Sequence, residues 1–219
     1  MPASSLLRGK TTRWMPWVAA ATLISGAAPT QAAGPDPGSA SRPGPPSAAP
    51  APRASVPDVM LLDQGGRRVR FRSDVLRDRV VVIDFVFTTC TTICPVLSST
   101  FARLQERLGE RLGHDVHLVS VSLDPVRDTP ERLRAYAARH HAGPHWTWLT
   151  GPNDQVERLL KALGAYTPDA SAHTPIVLVG DARTGVFERF NGFPSPDRLV
   201  ARADELLAAR SHTASRERM

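Results

Sequence analysis

Residues 80–87 read VVVIDFVF and the eight that follow read TTCTTICP. A run that is apolar throughout except for Asp84 suits a strand covered on both faces, the position of an inner strand in a parallel or mixed sheet. The polar stretch after it must turn at once. PVLSSTFARLQERLG puts Leu97, Phe101, Leu104 and Leu108 at helical spacing and closes on Gly109. A buried strand that passes through a short loop into a helix commits the chain to an α/β arrangement, and that loop holds both of its cysteines, Cys90 and Cys94.

The rest of the chain supplies partners for this unit. VMLLD, the Gly65-Gly66 pair and RVRFR predict a β-hairpin, and VHLVSVSL predicts a strand over residues 116–123. Asp128 is placed to cap a helix opened by Pro130, with Glu131 as the second member of a capping box and Leu133, Tyr136 and Ala137 facing inward. A WTWL segment whose Trp146 and Trp148 suit packing comes next. It is followed by a helix over about residues 153–163, a strand IVLVG from Ile176, a turn at 181–185, a strand VFERF and a last helix over 196–209. Strands that alternate with helices need crossover connections, and a hairpin at each end makes the sheet mixed. The expected architecture is a thioredoxin-like α/β fold, a mixed β-sheet flanked by helices with an N-terminal β-hairpin.

That domain takes residues 56–210. Before it, Arg8, Lys10 and Arg13 precede an apolar run over residues 14–28, and no acidic residue occurs before Asp36, so residues 1–33 read as a signal peptide cut after Ala32. An uncleaved anchor is the other reading, although the run is shorter than the roughly 20 apolar residues of a spanning helix and includes Pro16. With no cysteine near the site, a lipid-modified N-terminus is excluded. Residues 34–55 are nearly all Pro, Ala, Gly and Ser and read as a disordered linker, a tether to the membrane side or a dispensable extension, while residues 211–219 read as a frayed tail. Once the signal leaves, 27 − 3 = 24 basic residues stand against 21 acidic ones, a net charge of +3. This is too small to imply nucleic acid, and the alternating charges of ERLRAYAARHH suit a solvated face. The expected location is the periplasm or the outer face of the cytoplasmic membrane.

A helix N-terminus offers unpaired N–H groups and the positive end of the dipole, both of which favour thiolate over thiol. Three intervening residues keep Cys90 and Cys94 close enough to share a metal ion or to form a disulfide. A disulfide closing so small a loop removes little chain entropy, which argues against a purely structural bridge. A metal site needs a third ligand. His212 lies in the tail, His114 and His117 flank the start of a strand, and His140, His141 and His145 sit at a helix end, where a separate metal cluster is a minor alternative. His173 stands directly before the strand from Ile176, in the loop that a thioredoxin-like sheet lays against the cysteine loop. Two thiolates and an imidazole suit copper better than zinc, which usually takes a fourth ligand.

FTTCTTICP at residues 87–95, VSLDPVRDTP at residues 121–130 and the His173 loop together resemble the signatures of the Sco (SenC) family, in order and spacing across nearly all of residues 56–209. The resemblance implies a thioredoxin-like protein that binds one copper ion through Cys90, Cys94 and His173. It also implies service to the binuclear copper centre of cytochrome c oxidase subunit II, or to another exported copper or thiol protein, by copper delivery or by thiol reduction. Asp124 matches an acidic position near the family's metal site, as a supporting or partner-contacting group. There are two departures: Ala172 stands where many members have an acidic residue, and Pro175 precedes the strand where thioredoxins have a cis-proline, which would favour thiol-disulfide exchange. Three rival readings remain open. One is a thiol-disulfide oxidoreductase without a copper role, with Cys90 attacking and Cys94 resolving. Another is a peroxiredoxin-like peroxidase on Thr91-x-x-Cys94, against which Phe87 replaces the expected proline. The third is a copper store.

Exported from a bacterial host, the protein is expected to begin at Ala33. An intact mass that includes residues 1–32 would show an anchor instead.

Overall fold

A computed structural model describes residues 56–216. The expected signal segment, the linker and the last three residues of the expected tail lie outside the described residues. Strand β3 (Val80–Val86) is buried at every position, because it has a strand on either side: β4 (Val116–Ser122) runs parallel to it, with Val80 opposite Val116, and β6 (Ile176–Asp181) antiparallel, with Val80 opposite Asp181. Beyond β4 lie β5 (Trp146–Thr150) and the hairpin of β1 (Met60–Asp63) and β2 (Arg68–Arg70); beyond β6 lies β7 (Val186–Asn191). The sheet order is β2-β1-β5-β4-β3-β6-β7, a mixed sheet as expected.

Side-chain alternation along β3 sorts the core into two layers. Val80, Val82 and Val86 meet α1 (Ile93–Leu108), α2 (Pro130–Arg139) and α4 (Pro196–Arg216) through Leu97, Phe101, Leu104, Leu133, Tyr136 and Leu199. Val81, Ile83 and Phe85 meet α3 (Asn153–Ala162) and the segment after β2, through Val156, Leu159 and Phe71. Trp146 and Trp148 are fully buried and stack with ring centres 4.8 Å apart, so they belong to the core. Gly180 is required where it is, because a Cβ there would fall 2.2 Å from the Phe187 ring. Among the described residues no helix is long and apolar enough to cross a membrane.

Three local expectations are corrected. The second hairpin strand ends at Arg70, since Phe71–Leu76 winds into a π-helical turn that buries Phe71, Val75 and Leu76. Asp58 accepts the N–H groups of Arg72 and Ser73, both at 3.0 Å, which supports that turn. Helix α2 is capped by Thr129, whose hydroxyl accepts the Arg132 N–H, with Pro130 in the first turn; Asp128 is not the cap and Glu131 completes no capping box. The last helix runs to Arg216 rather than stopping near residue 209. Arg210 holds it there by donating to both Asp181 carboxylate oxygens, at 2.5 and 2.8 Å, and to the Asp78 carbonyl at 2.6 Å.

One polar residue lies in the middle of β3. Asp84 is fully buried; its Oδ1 accepts the Ser120 hydroxyl at 2.5 Å, Ser120 in turn accepts the Trp146 indole N–H at 2.9 Å, and Oδ2 has no hydrogen-bond partner. Burial raises the carboxyl from 3.8 to about 7, against the opposing bond from Ser120. The folded state therefore binds more protons than the unfolded one between these values, and Asp84 lowers stability as pH rises through that window. At about 1.4 kcal/mol per unit this is roughly 4 kcal/mol. His117, buried and close to the charges of Arg79, His145 and Arg77, is lowered from 6.5 to about 3 and acts in the opposite direction. Asp84→Asn should therefore gain stability relative to the parent protein as pH rises from 4 to 8, by a few kcal/mol, as read from urea midpoints. A constant difference would show that Asp84 is ionised in the fold.

Candidate functional site

At the C-terminal end of β3 the chain must leave a sheet and start a helix within six residues. Phe87 accepts the Cys90 N–H (3.1 Å), closing a tight turn. Helix α1 then starts at Ile93 behind Thr92, whose side chain makes no capping bond. The Cys90 sulfur fills that place, accepting the N–H of Cys94 at 3.4 Å. A thiol in the position of a cap acceptor receives the partial positive charge of the helix end. Residues 85–102 contain no charged side chain at all.

The two cysteines, both free, are separated electrostatically. Burial alone would raise Cys90, but bonds from the Cys94 backbone and thiol and from the Thr92 and Ile93 backbone outweigh it and bring Cys90 below its ordinary value. Cys94 has no exposed surface. Burial, its bond with Cys90 and the proximity of Cys90 and Asp84 push it well up, with the Phe87 backbone opposing. Cys90 is thus the thiolate-prone member and Cys94 the proton-holding one, the order expected from the sequence for an attacking and a resolving thiol.

His173 reaches the same end of the sheet from the other direction. Because β6 is antiparallel to β3 and Asp84 is opposite Val177, the loop before Ile176 lies beside the loop after Val86. His173 ends a short 3-10 turn, Ala170–Ala172, and its ring meets the Phe87 ring edge to face at 6.3 Å. It is only 6% exposed and its Nε2 is buried without a hydrogen-bond partner. Burial lowers its pKa, so the imidazole is neutral with a lone pair at Nε2 or Nδ1 free to bind. Two sulfurs and an unpartnered imidazole nitrogen are donors that fit a soft cation. They are not preassembled: among the described residues no three His, Cys, Asp or Glu side chains form a group able to hold a metal ion. The same holds for His140, His141 and His145, of which His140 meets the Tyr136 ring at a tilt, with ring centres 4.8 Å apart.

Asp124 lines a groove of about 410 Å³ with Phe87, Thr89, Leu123, Val126 and Ala170, so it stands between the cysteine and histidine loops. Its Oδ2 accepts from Arg127 at 2.7 Å. At Pro175, where the sequence left the isomer open, the bond is trans, as is every peptide bond among the described residues. The Pro175 carbonyl accepts the Gly192 N–H at 2.9 Å, tying the start of β6 to the end of β7. Sequence reasoning missed Thr88 and the true bonds of Asp128, whose carboxylate joins the cysteine loop to β4. The clue was Thr129, an equally good cap that leaves Asp128 free.

A mixed sheet with helices on both faces and a dithiol at the start of its first crossover helix defines a thioredoxin-like dithiol protein. The SCO1/SenC family profile matches residues 49–208, and the chain belongs to that family. The SCO1 protein homolog of Bacillus subtilis is 37% identical over 90 residues, 41% of this chain and 45% of that protein. Among solved structures, BsSco, described as a member of the Sco family of cytochrome c oxidase assembly proteins with a disulfide switch, is 27% identical, with a TM-score of 0.59 over 68% of this chain and 91% of its own. ScoI of Bradyrhizobium japonicum, solved with copper bound, is 26% identical, with a TM-score of 0.56 over 67% and 96%. The sequence matches span about half the length of the first relatives, 52% and 45%.

At neutral pH iodoacetamide should modify Cys90 about tenfold or more faster than Cys94, as read by peptide mass spectrometry. Equal rates would contradict the assigned asymmetry.

Proposed function

We propose that this chain is an exported copper-handling protein that binds one copper ion through Cys90, Cys94 and His173 and serves the assembly of the binuclear copper centre of cytochrome c oxidase. The observation that carries this reading is the unpartnered, buried Nε2 of neutral His173, in the loop next to the one that holds the thiolate-prone Cys90. A buried imidazole nitrogen without a partner costs free energy that a bound cation would offset. The copper-bound relative of the same fold and the relative described as an oxidase assembly protein support the choice of cargo and destination. Copper is the cargo here, soft enough for two sulfurs and one imidazole. Cys90 supplies a ready thiolate, Cys94 gives up its proton on binding, and His173 contributes a nitrogen that needs no deprotonation. The signal pattern of residues 1–33 supports export to the periplasm or the outer face of the cytoplasmic membrane, and residues 34–55 support a tether there.

A second reading rests on the cysteine asymmetry alone. The Cys90 thiolate attacks a partner disulfide and expels one partner thiolate. Cys94, losing its proton, then attacks Cys90 sulfur and expels the second, leaving a Cys90–Cys94 disulfide and a reduced partner.

Copper titration of the reduced protein, followed by absorption and electron paramagnetic resonance, separates the two readings. One equivalent should bind with thiolate-to-copper charge transfer. Cys90→Ala and Cys94→Ala should abolish it, and His173→Ala should weaken affinity at least ~10-fold while still forming the disulfide. Affinity unchanged by His173→Ala would remove that residue from the site and leave thiol-disulfide exchange.

A further inference from the structure

The cysteine loop is not held by its own backbone alone. Asp128, 1% exposed, places its carboxylate between two elements. Oδ1 accepts the Thr88 N–H at 3.0 Å and the Thr88 hydroxyl at 2.6 Å, and Oδ2 accepts the Ser122 hydroxyl at 2.7 Å. Ser122 also accepts the Asp124 N–H at 3.0 Å, and the Asp128 N–H donates to the Asp124 carbonyl at 2.9 Å. The Leu123 N–H donates to the Val86 carbonyl at 2.8 Å, the last rung between β3 and β4 before the two chains part. Beyond that rung the carboxylate is what keeps residue 88 against residues 122–128.

We infer that Asp128 is the positioning residue of the dithiol: a buried carboxylate latch that fixes Thr88, and through it the Phe87–Cys90 turn, before any cargo arrives. The inference rests on the reading of Cys90, Cys94 and His173 as the working site. Thr88 lies two residues before Cys90, and Phe87, next to it, touches the His173 ring. Movement of Thr88 therefore displaces the Cys90 sulfur from the α1 N-terminus and the ring partner of His173 together. A carboxylate is needed here rather than an amide, since all three bonds come from N–H or O–H donors and an asparagine would turn an NH2 group toward one of them. Among the described residues no positively charged group bonds to this carboxylate, which separates it from the ion pairs elsewhere in the fold, such as Arg210 with Asp181.

Three variants test the latch. Asp128→Asn removes one acceptor, Thr88→Val removes one donor without touching Asp128, and Thr88→Ser keeps every bond. Two properties are read in each: the rate of Cys90 alkylation by iodoacetamide in the metal-free reduced protein, and the affinity and absorption spectrum on titration with copper. Asp128→Asn and Thr88→Val should both shift the alkylation rate severalfold, weaken copper by about 10–100-fold and change the charge-transfer band, while Thr88→Ser matches the parent. Variants that melt earlier but alkylate and bind as the parent does would overturn the inference and leave Asp128 a stabilising residue only. If Asp128→Asn fails to fold, Thr88→Val, which leaves the backbone bond in place, decides the matter. If the parent protein itself binds no copper, the proposed function fails. The alkylation rates then decide the latch alone: a shift in Thr88→Val and none in Thr88→Ser upholds it, and no shift in either overturns it.

Discussion

Hydrogen bonding of β3 on both edges is the constraint from which the rest follows. Its partners run in opposite directions, β4 parallel and β6 antiparallel, so the end of β3, the end of β4 and the beginning of β6 meet at one edge of the sheet. That edge gathers the loops carrying Cys90, Asp124 and His173. Were β6 parallel to β3, His173 would stand at the far end of the sheet. The two apolar faces of β3 then fix the helices. Val80, Val82 and Val86 draw α1 down onto the sheet, and with α1 the first turn that contains Cys94.

Within this frame the asymmetry of the dithiol arises first from dipoles and burial, with the proximity of Asp84 adding to the rise at Cys94. No lysine or arginine lies within residues 85–102. Cys90 is favoured as thiolate because backbone N–H groups at the start of α1 converge on its sulfur. Cys94, four residues later and inside the helix, faces the packed layer with Asp84 behind it and keeps its proton. The same few backbone bonds thus make two identical side chains unlike each other. Because this polarisation depends on placement at the ångström level, the loop that carries Cys90 has to be held, and hydroxyl groups with a buried carboxylate hold it.

Buried polar groups are distributed with the same economy. Asp63, Asp128 and Asp181 each satisfy several donors. Asp84 and His173 differ, each with a buried atom left unpartnered, and among the described residues His117, Trp148 and Thr150 share that feature. Unmet hydrogen-bonding capacity in a well-packed interior is costly, and the atoms of Asp84 and His173 lie on the layer and the loop next to the cysteines.

Much of this was legible in the chain itself. The apolar run of β3, the helical spacing of Leu97, Phe101, Leu104 and Leu108, and the cysteines between them announce the fold and the dithiol, because periodicity and local loop chemistry are properties of neighbouring residues. The early end of the second hairpin strand was not legible, since it depends on Asp58 reaching Arg72 and Ser73 across 14 and 15 residues. Nor was the role of Asp128, for locally it is as good a helix cap as Thr129. Only the approach of Thr88, 40 residues away in sequence, gives its carboxylate another use. The Phe87 contact of His173 was likewise settled by packing between distant segments. Local pattern determined which elements form and which residue types can do chemistry; the strand pairing decided which of them meet, and burial decided which proton each one keeps.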